Sequence, residues 1–172
     1  MILKATISRF LKVGTRSMII EKKFKDLMGI EIPIPSKVIG SYVPSVIADN
    51  FLYISGSLPT KNGDIISHGK VEYDVTREQA ISCAKLCGIN ILSVAKQALG
   101  DLDRIEKLVR ANIYINSDKD FYFHPTIANG FSNFMVQVLG EEIGTHTRIA
   151  LGVFALPYNA PIEIDAIFKI KP

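Results

Sequence analysis

One arginine and two acidic residues stand near the end of the sequence, where almost every neighbour is apolar. The segment from Thr145 to Phe168, THTRIALGVFALPYNAPIEIDAIF, predicts two strands joined by a short turn. Arg148 lies in the first strand, and Glu163 and Asp165 lie in the second. Burying a charged side chain is unfavourable unless it is paired or holds a ligand of opposite charge. This segment is therefore the first candidate for a functional site.

Strand geometry decides which of these side chains can meet. Because successive side chains of a strand alternate between faces, Glu163 and Asp165 share one face, and His146, Arg148 and Ala150 share one face of the other strand. If the two strands are neighbours in a sheet, an arginine–glutamate pair across them is expected. Two roles are then possible for Arg148: it forms a structural ion pair with one of the carboxylates, or it is an anchor for an anionic ligand.

Helical spacing of apolar residues predicts the elements that hold this segment in place. Residues 19–31 form a short first helix. Thr76 and Gln79 have the spacing of a capping box, and the long helix that they begin ends at Gly100. A second long helix spans about Phe121 to Leu139, with one apolar face.

Short β-prone runs between turn residues indicate the remaining strands. The element order is β-β-(β)-α-β-α-β-β, which predicts an α+β domain of two layers with two long helices on one face of a mixed sheet. Several strands are apolar on both sides, so the face without helices is expected to be buried against other subunits. The residues behind this expectation are Val109, Ile113, Ile149, Leu151, Val153, Ile162 and Ile164.

Composition limits the class of protein. The chain has 172 residues, of which 48% are hydrophobic and 22% charged, as in a soluble globular domain. No apolar run reaches the roughly 18 to 20 residues that span a bilayer. The net charge of +3 comes from residues 1–17: without their four basic residues, 16 basic residues face 17 acidic ones, a net of −1. A near-neutral domain disfavours nucleic-acid binding through charge.

The basic segment 1–17 contains no acidic residue and is followed at once by Met18. Three interpretations remain open: an organellar transit peptide, a false upstream start with Met18 as the true one, and a surface helix. Residues 18–172 are then the functional domain. We expect a cytoplasmic protein, or a mitochondrial matrix protein if residues 1–17 are a transit peptide.

The two cysteines, Cys83 and Cys87, lie four residues apart on the first long helix. They are either half of a metal or redox site or two small core residues. Two thiols are too few for a tetrahedral metal site, so we expect core packing and predict no metal ligands.

Several ordered stretches resemble the RidA/YjgF family, also known as endoribonuclease L-PSP or chorismate-mutase-like proteins, and in particular a longer subgroup of it. The resemblance covers about residues 20–170. The matching stretches are Gly40-Ser41-Tyr42-Val43-Pro44, Tyr53-Ile54-Ser55-Gly56-Ser57-Leu58-Pro59, Gly100-Asp101-Leu102-Asp103, Thr147-Arg148-Ile149-Ala150-Leu151 and Pro161-Ile162-Glu163-Ile164-Asp165-Ala166-Ile167.

The resemblance implies a fold, an assembly and an activity. The fold is the two-layer chorismate-mutase-like type (Bacillus type), with a mixed six-stranded sheet and two long helices on one face. The assembly is a homotrimer with clefts between subunits. Well-studied members hydrolyse reactive enamines and imines such as 2-aminoacrylate to a 2-oxo acid and ammonia, without metal or cofactor.

The resemblance also assigns roles to residues. The arginine that grips the substrate carboxylate corresponds to Arg148, and the glutamate that positions the attacking water corresponds to Glu163. The substrate-binding positions are Tyr42, Ser55, Gly56, Asn129, Ala150 and His146, the last because it shares the predicted face of Arg148. Many members have a cysteine at the place of Ala150, where a backbone N–H would still be present.

Three functions therefore compete. The first is a cofactor-free enamine/imine deaminase. The second is a non-catalytic trimer that binds small carboxylates as a regulatory module. The third is an endoribonuclease, which the near-neutral domain disfavours.

Overall fold

The computed structural model describes residues 18–38 and 40–172, so the basic segment 1–17 lies outside the described residues. Within them, seven strands and four α-helices follow one another. In chain order they are α1 (Ile19–Met28), β1 (Ser45–Ala48), β2 (Phe51–Ser57), β3 (Thr60–Lys61), β4 (Asp64–Ile65), α2 (Arg77–Leu99), β5 (Ile105–Asn116), α3 (His124–Leu139), α4 (Glu141–Gly144), β6 (Thr147–Val153) and β7 (Ile162–Ile170).

The main sheet is mixed and has the strand order β1-β2-β7-β5-β6. Strand β5 is parallel to β6 and antiparallel to β7, and β2 is antiparallel to both of its neighbours. The predicted α+β class is confirmed, and the predicted elements follow one another in the expected order. Two short strands, β3 and β4, stand where one optional strand was expected, and the short helix α4 was not predicted. The sheet has five strands rather than six, because β3 and β4 pair only with each other, across a tight turn at Asn62 and Gly63 where φ is 56° and 92°.

The two long helices cover one face of this sheet. Buried apolar residues recur along β5 and β7, in strict alternation except at two irregularities in the first half of β5. They include Leu108, Ile113, Ile164 and Phe168, which are 0% exposed. These side chains face α2 and α3, and the alternate side chains face away from the helices. We call that second surface the open face.

The open face combines polar and apolar side chains. Val46, Tyr53 and Ile149 are 51%, 44% and 42% exposed on it. Of the residues expected to make both faces apolar, Ile113, Ile162 and Ile164 instead lie under the helices with no exposed surface. The open face is thus less apolar than the sequence predicts, and burial of this face by other subunits stays a prediction.

Both ends of α2 follow the predicted signals. Gln79 N–H donates to Thr76 Oγ1 at 3.2 Å, and Thr76 N–H donates to Gln79 Oε1 at 2.9 Å, which completes the capping box. Gly100 ends the helix with φ of 71°. Cys83 and Cys87 are buried in the core as expected, and burial raises the pKa of Cys83 to about 11.

Helix α3 begins later than predicted, at His124 instead of Phe121. The backbone N–H of Phe121 donates to Asp118 O in a turn, and Pro125 stands in the first turn of the helix, where a missing N–H is tolerated. None of the helices in the described ranges is long and apolar enough to cross a membrane.

Helices α2 and α3 approach closely because both present glycines at their contact. A Cβ on Gly130 would lie 2.3 Å from the carbonyl oxygen of Ile81, and one on Gly88 would lie 2.9 Å from the ring of Phe134. A backbone oxygen cannot rotate out of the way. The spacing of α2 and α3, and through it the position of α3 over the sheet, therefore depends on Gly130.

We expect Gly130→Ala to lower the free energy of unfolding by about 1–3 kcal/mol, because the overpacked helix pair must separate. Chemical denaturation measures this. Asn133→Ala, an exposed change one turn away on α3, is the control and should stay within about 0.5 kcal/mol of the wild type. Equal stability of the two variants would contradict the proposed close contact.

Candidate active site

The register of β6 against β5 sets the face on which the arginine lies. Arg148 is opposite Ala111, and Ala150 is opposite Ile113. Ala111 and Ile113 are 0% exposed beneath the helices. Arg148 and Ala150 therefore lie on the helix side of the sheet, at its edge, because β6 is the outermost strand.

The register of β7 against β5 places the acidic residues on the other side. Glu163 is opposite Tyr114, and Asp165 is opposite Asn112, all four on the open face. The expected pairing of Arg148 with Glu163 across neighbouring strands is therefore wrong within one chain. Strand β5 lies between β6 and β7, so the two strands joined by the turn do not pair.

Arg148 rests on the beginning of α3. Its Nη1 donates to Ser132 Oγ at 2.8 Å, and its Nη2 donates to the carbonyl oxygen of Pro125 at 3.3 Å. It forms no salt bridge with any carboxylate of the described residues. Burial lowers the pKa of Arg148 from its ordinary value, yet a guanidinium stays protonated at neutral pH. The result is a half-buried cation with free N–H donors and no counter-ion among residues 18–38 and 40–172.

Three more of the predicted site residues lie on the same side of the sheet, beside Ser132 or along β6. Asn129 is exposed on α3, three residues from Ser132 and thus on the same helix face. His146 contacts Ser132 Oγ through Nε2 at 3.1 Å. Ala150 is half-buried on the same side of β6. We call the set Arg148, Ser132, Asn129, His146 and Ala150 the arginine half-site.

Glu163 lies against β2 on the open face. A Cβ on Gly56 would be 2.1 Å from Glu163 Oε1, so glycine at this position lets the carboxylate lie directly against β2. Burial raises the pKa of Glu163, and the neighbouring charge of Asp165 raises it further. The carboxylate accepts no hydrogen bond from the described part of the chain. An under-solvated, basic carboxylate of this kind can take a proton from water.

Asp165 has a different, structural environment. Its Oδ1 accepts a hydrogen bond from Asn112 Nδ2 at 2.8 Å, and Asn112 Oδ1 accepts one from Arg110 Nε at 3.0 Å. Burial raises the pKa of Tyr114, as do the charge and hydrogen bond of Asp165. These contacts fix Asp165 beside Glu163, where its negative charge adds to the basicity of the latter.

The other predicted residues on this side lie in β2 and in the loop before β1. Ser55 Oγ donates to the carbonyl oxygen of Val43 at 2.8 Å, which holds the loop before β1 against β2. Tyr42 stands in that loop and is half exposed. We call the set Glu163, Gly56, Ser55 and Tyr42 the glutamate half-site. The predicted residues thus form two groups, one on each side of the sheet.

One group of carboxylates in the described ranges is close enough to share a cation: Glu21, Asp101 and Asp103. These acids already have structural partners. Asp103 accepts hydrogen bonds from the first two backbone N–H groups of α1, and Glu21 pairs with Lys96. The group lies at the beginning of β5, apart from both half-sites.

Sequence reasoning missed three contributors. Ser132 is one of two hydroxyl residues on a largely apolar helix, and its only signal is the helical spacing from Asn129. Tyr114 and Asn112 alternate with buried residues along β5, which marks them as open-face residues but not as neighbours of β7.

One protein family and several known proteins are similar to this chain. Residues 25–167 match the sequence profile of the family described as "YjgF/chorismate mutase-like, putative endoribonuclease". Protein TCP17 of Trypanosoma cruzi is 34% identical over 144 residues, which cover 84% of this chain and 90% of that one.

Solved structures share the fold. Protein Atu1372 of Agrobacterium tumefaciens is 41% identical with a TM-score of 0.81, covering 89% of this chain and 93% of its own. The structure of E. coli TdcF with bound serine has a TM-score of 0.55 at 20% identity, covering 83% of this chain and 97% of its own.

The raised pKa of Glu163 has a consequence for stability. A carboxyl whose pKa is higher in the folded state stabilises the fold fully below its unfolded pKa, and this contribution is lost as pH rises through the folded pKa. At pH 7, Glu163→Gln should therefore raise the free energy of unfolding by about 0.5–1 kcal/mol. The gain should shrink as pH falls through the pKa of Glu163, measured by denaturation at fixed protein concentration.

Glu106→Gln is the matched control for this prediction. Glu106 lies in the same sheet and pairs with Lys169 at 2.8 Å, so its neutralisation should leave stability unchanged or lower it by up to about 1 kcal/mol. A Glu163→Gln variant that loses stability at pH 7 would show that the ionised carboxylate has a favourable partner.

Proposed function

We propose that this chain, which belongs to the YjgF/chorismate mutase-like family, hydrolyses small carboxylate-bearing enamines and imines to 2-oxo acids and ammonia. The observation that carries the proposal is Arg148, a half-buried guanidinium with no carboxylate partner among the described residues. A cation kept in this state is unfavourable in the free protein. A ligand carboxylate that accepts two parallel N–H groups would offset that penalty and would also fix the orientation of the ligand.

A site that uses both Arg148 and Glu163 requires two copies of the chain. Within one chain the two side chains lie on opposite sides of the sheet. We infer that the arginine half-site of one subunit meets the glutamate half-site of the next in a homotrimer. The position of β6 at the sheet edge and the exposed apolar residues of the open face, Val46, Tyr53 and Ile149, support such an assembly.

The chemistry then needs only positioning and one proton acceptor. The enamine tautomerises to an imine, whose protonated C=N carbon is electrophilic. Glu163 orients a water molecule and accepts its proton as the water oxygen bonds to that carbon. Glu163 passes this proton to the nitrogen of the carbinolamine. As the C–N bond breaks, the carbinolamine hydroxyl gives its proton to Glu163 and becomes the carbonyl of the 2-oxo acid, and ammonia leaves. The raised pKa of Glu163 suits a group that must accept a proton near neutral pH.

The activity is tested with 2-aminoacrylate generated in place by a dehydratase acting on serine, with semicarbazide as the competing trap. Wild type should speed pyruvate release, and Arg148→Ala should lower turnover at limiting substrate by about 100-fold or more, because the carboxylate loses a bidentate partner. Arg104→Ala is the control and should keep most of the activity, because Arg104 lies just before β5, apart from both half-sites, and donates to the carbonyl oxygen of Lys171.

Binding separates the two leading functions. Titration with pyruvate and with serine, the ligand in the TdcF structure, should show affinity that depends on Arg148. Binding without any acceleration of 2-aminoacrylate hydrolysis would favour the non-catalytic, carboxylate-binding alternative. No binding and no turnover would overturn the proposal for Arg148.

Mixing two inactive variants tests the composite site. In co-expressed Arg148→Ala and Glu163→Gln chains, a site between subunits pairs an intact Arg148 with an intact Glu163 at about one interface in four of a cyclic trimer. Activity should therefore return to about a quarter of the wild-type value. If both residues acted from one chain, mixing would restore no activity, and the composite site would be overturned. A monomer in light scattering would overturn it as well.

A further inference from the structure

Three side chains form a hydrogen-bonded series that ends at the candidate anchor. His146 Nδ1 lies 2.6 Å from the carbonyl oxygen of Gly144, and His146 Nε2 lies 3.1 Å from Ser132 Oγ. Ser132 Oγ in turn lies 2.8 Å from Arg148 Nη1. The series links α4, β6 and α3, the three elements that surround the arginine.

The chemistry of each group fixes the direction of these hydrogen bonds. A carbonyl oxygen can only accept, so Nδ1 of His146 carries the hydrogen and donates to Gly144 O. In the neutral ring Nε2 is then an acceptor, and the hydroxyl of Ser132 donates its single hydrogen to it. The lone pairs of Ser132 Oγ remain available for Arg148, which can only donate.

The surroundings of His146 favour this neutral form. Burial lowers the pKa of His146 and outweighs the hydrogen bond to Gly144, which raises it; the positive charges of Arg148 and Lys107 lower the pKa further. The groups facing the ring from α3 are uncharged, namely Ser132 and the ring of Phe131, whose centroid is 5.6 Å away in an edge-to-face arrangement. Lys107, on β5, also donates to the carbonyl oxygen of Glu142.

We propose that His146 and Ser132 are positioning residues, which hold the Arg148 guanidinium in the orientation that binds the substrate carboxylate. The inference rests on the proposed function, because it assigns Arg148 as the anchor. Without the Nε2 acceptor, the Ser132 hydroxyl is free to rotate, and its hydrogen competes with Arg148 for the same space. The guanidinium then samples several orientations, and binding must select one of them.

Protonation of His146 is coupled to binding in this arrangement. An anion beside Arg148 stabilises the imidazolium form, so carboxylate binding raises the pKa of His146, and by linkage the affinity increases as pH falls. In the imidazolium, Nε2 donates to Ser132 Oγ instead of accepting from it, so the oxygen stays fixed against Arg148 and the hydroxyl hydrogen becomes free to donate to the ligand, which acts in the same direction. Ligand affinity should therefore rise below neutral pH.

The test compares His146→Gln with His146→Ala. The glutamine amide oxygen can replace Nε2 as an acceptor but does not titrate. At pH 7.5, calorimetric titration with pyruvate should give a Kd within about threefold of wild type for His146→Gln and about fivefold to thirtyfold weaker for His146→Ala. KM for 2-aminoacrylate should change with the Kd, while kcat changes little, because the lost interaction is present in ground and transition states alike.

The pH dependence of the pyruvate affinity distinguishes a positioning role of His146 from a merely structural one, which would leave this dependence unchanged. Between pH 7.5 and 5.5 the wild-type affinity for pyruvate should rise about threefold to tenfold, and that of His146→Gln should stay flat. Glu163 also titrates near the site, so both proteins are measured in the Glu163→Gln background as well. His68→Gln, an exposed histidine elsewhere on the surface, is the control and should match wild type throughout.

The outcomes separate this inference from the proposed function. If pyruvate binds wild type and Arg148→Ala abolishes binding, but His146→Ala binds as tightly as wild type, the positioning role is overturned and the anchor stands. Equal pH profiles in wild type and His146→Gln would also overturn it. If wild type itself binds neither pyruvate nor serine, the proposed function fails first.

Discussion

The position of β5 between β6 and β7 is the constraint on which the arrangement of charges depends. The turn that joins β6 to β7 passes the end of β5, so the two strands that are adjacent in sequence are separated in the sheet. Register then places Arg148 under the helices and Glu163 on the open face. Neither charge can neutralise the other within the chain, and each faces a surface that a second copy can reach.

Both charges are retained at some expense to stability. Other charged side chains of this fold are neutralised within the chain, as the ion pairs Lys96–Glu21 and Lys169–Glu106 show. Arg148 and Glu163, by contrast, are half-buried without an oppositely charged partner in the described ranges. Uncharged groups lie against both: Ser132 and Pro125 contact Arg148, and Gly56 lies against Glu163. These groups fix the positions of the two charges without neutralising them.

Local signals in the sequence were sufficient for the elements but not for their neighbours. The capping box at Thr76 and Gln79 and the helix stop at Gly100 are short-range features, and the structure has them where predicted. Alternation along β7 correctly grouped Glu163 with Asp165. Which strand lies beside β7 depends on long-range pairing, which a one-dimensional pattern does not encode, and the expected arginine–glutamate pair failed for that reason.

Strand β6 has two surfaces, one that carries the candidate anchor and one that is free for subunit contact. Its helix-side residues include Arg148, and its open-face residues include Ile149, which is exposed in the single chain. A ligand that contacts two subunits binds the assembled protein more tightly than the single chain, so it stabilises the assembly by the difference in binding free energy. Assembly in turn raises the effective affinity for the ligand, because the two effects are reciprocal. A substitution at Ile149 that weakens subunit contact would therefore weaken carboxylate binding without touching the ligand, whereas a change at His146 acts on the ligand without touching the contact.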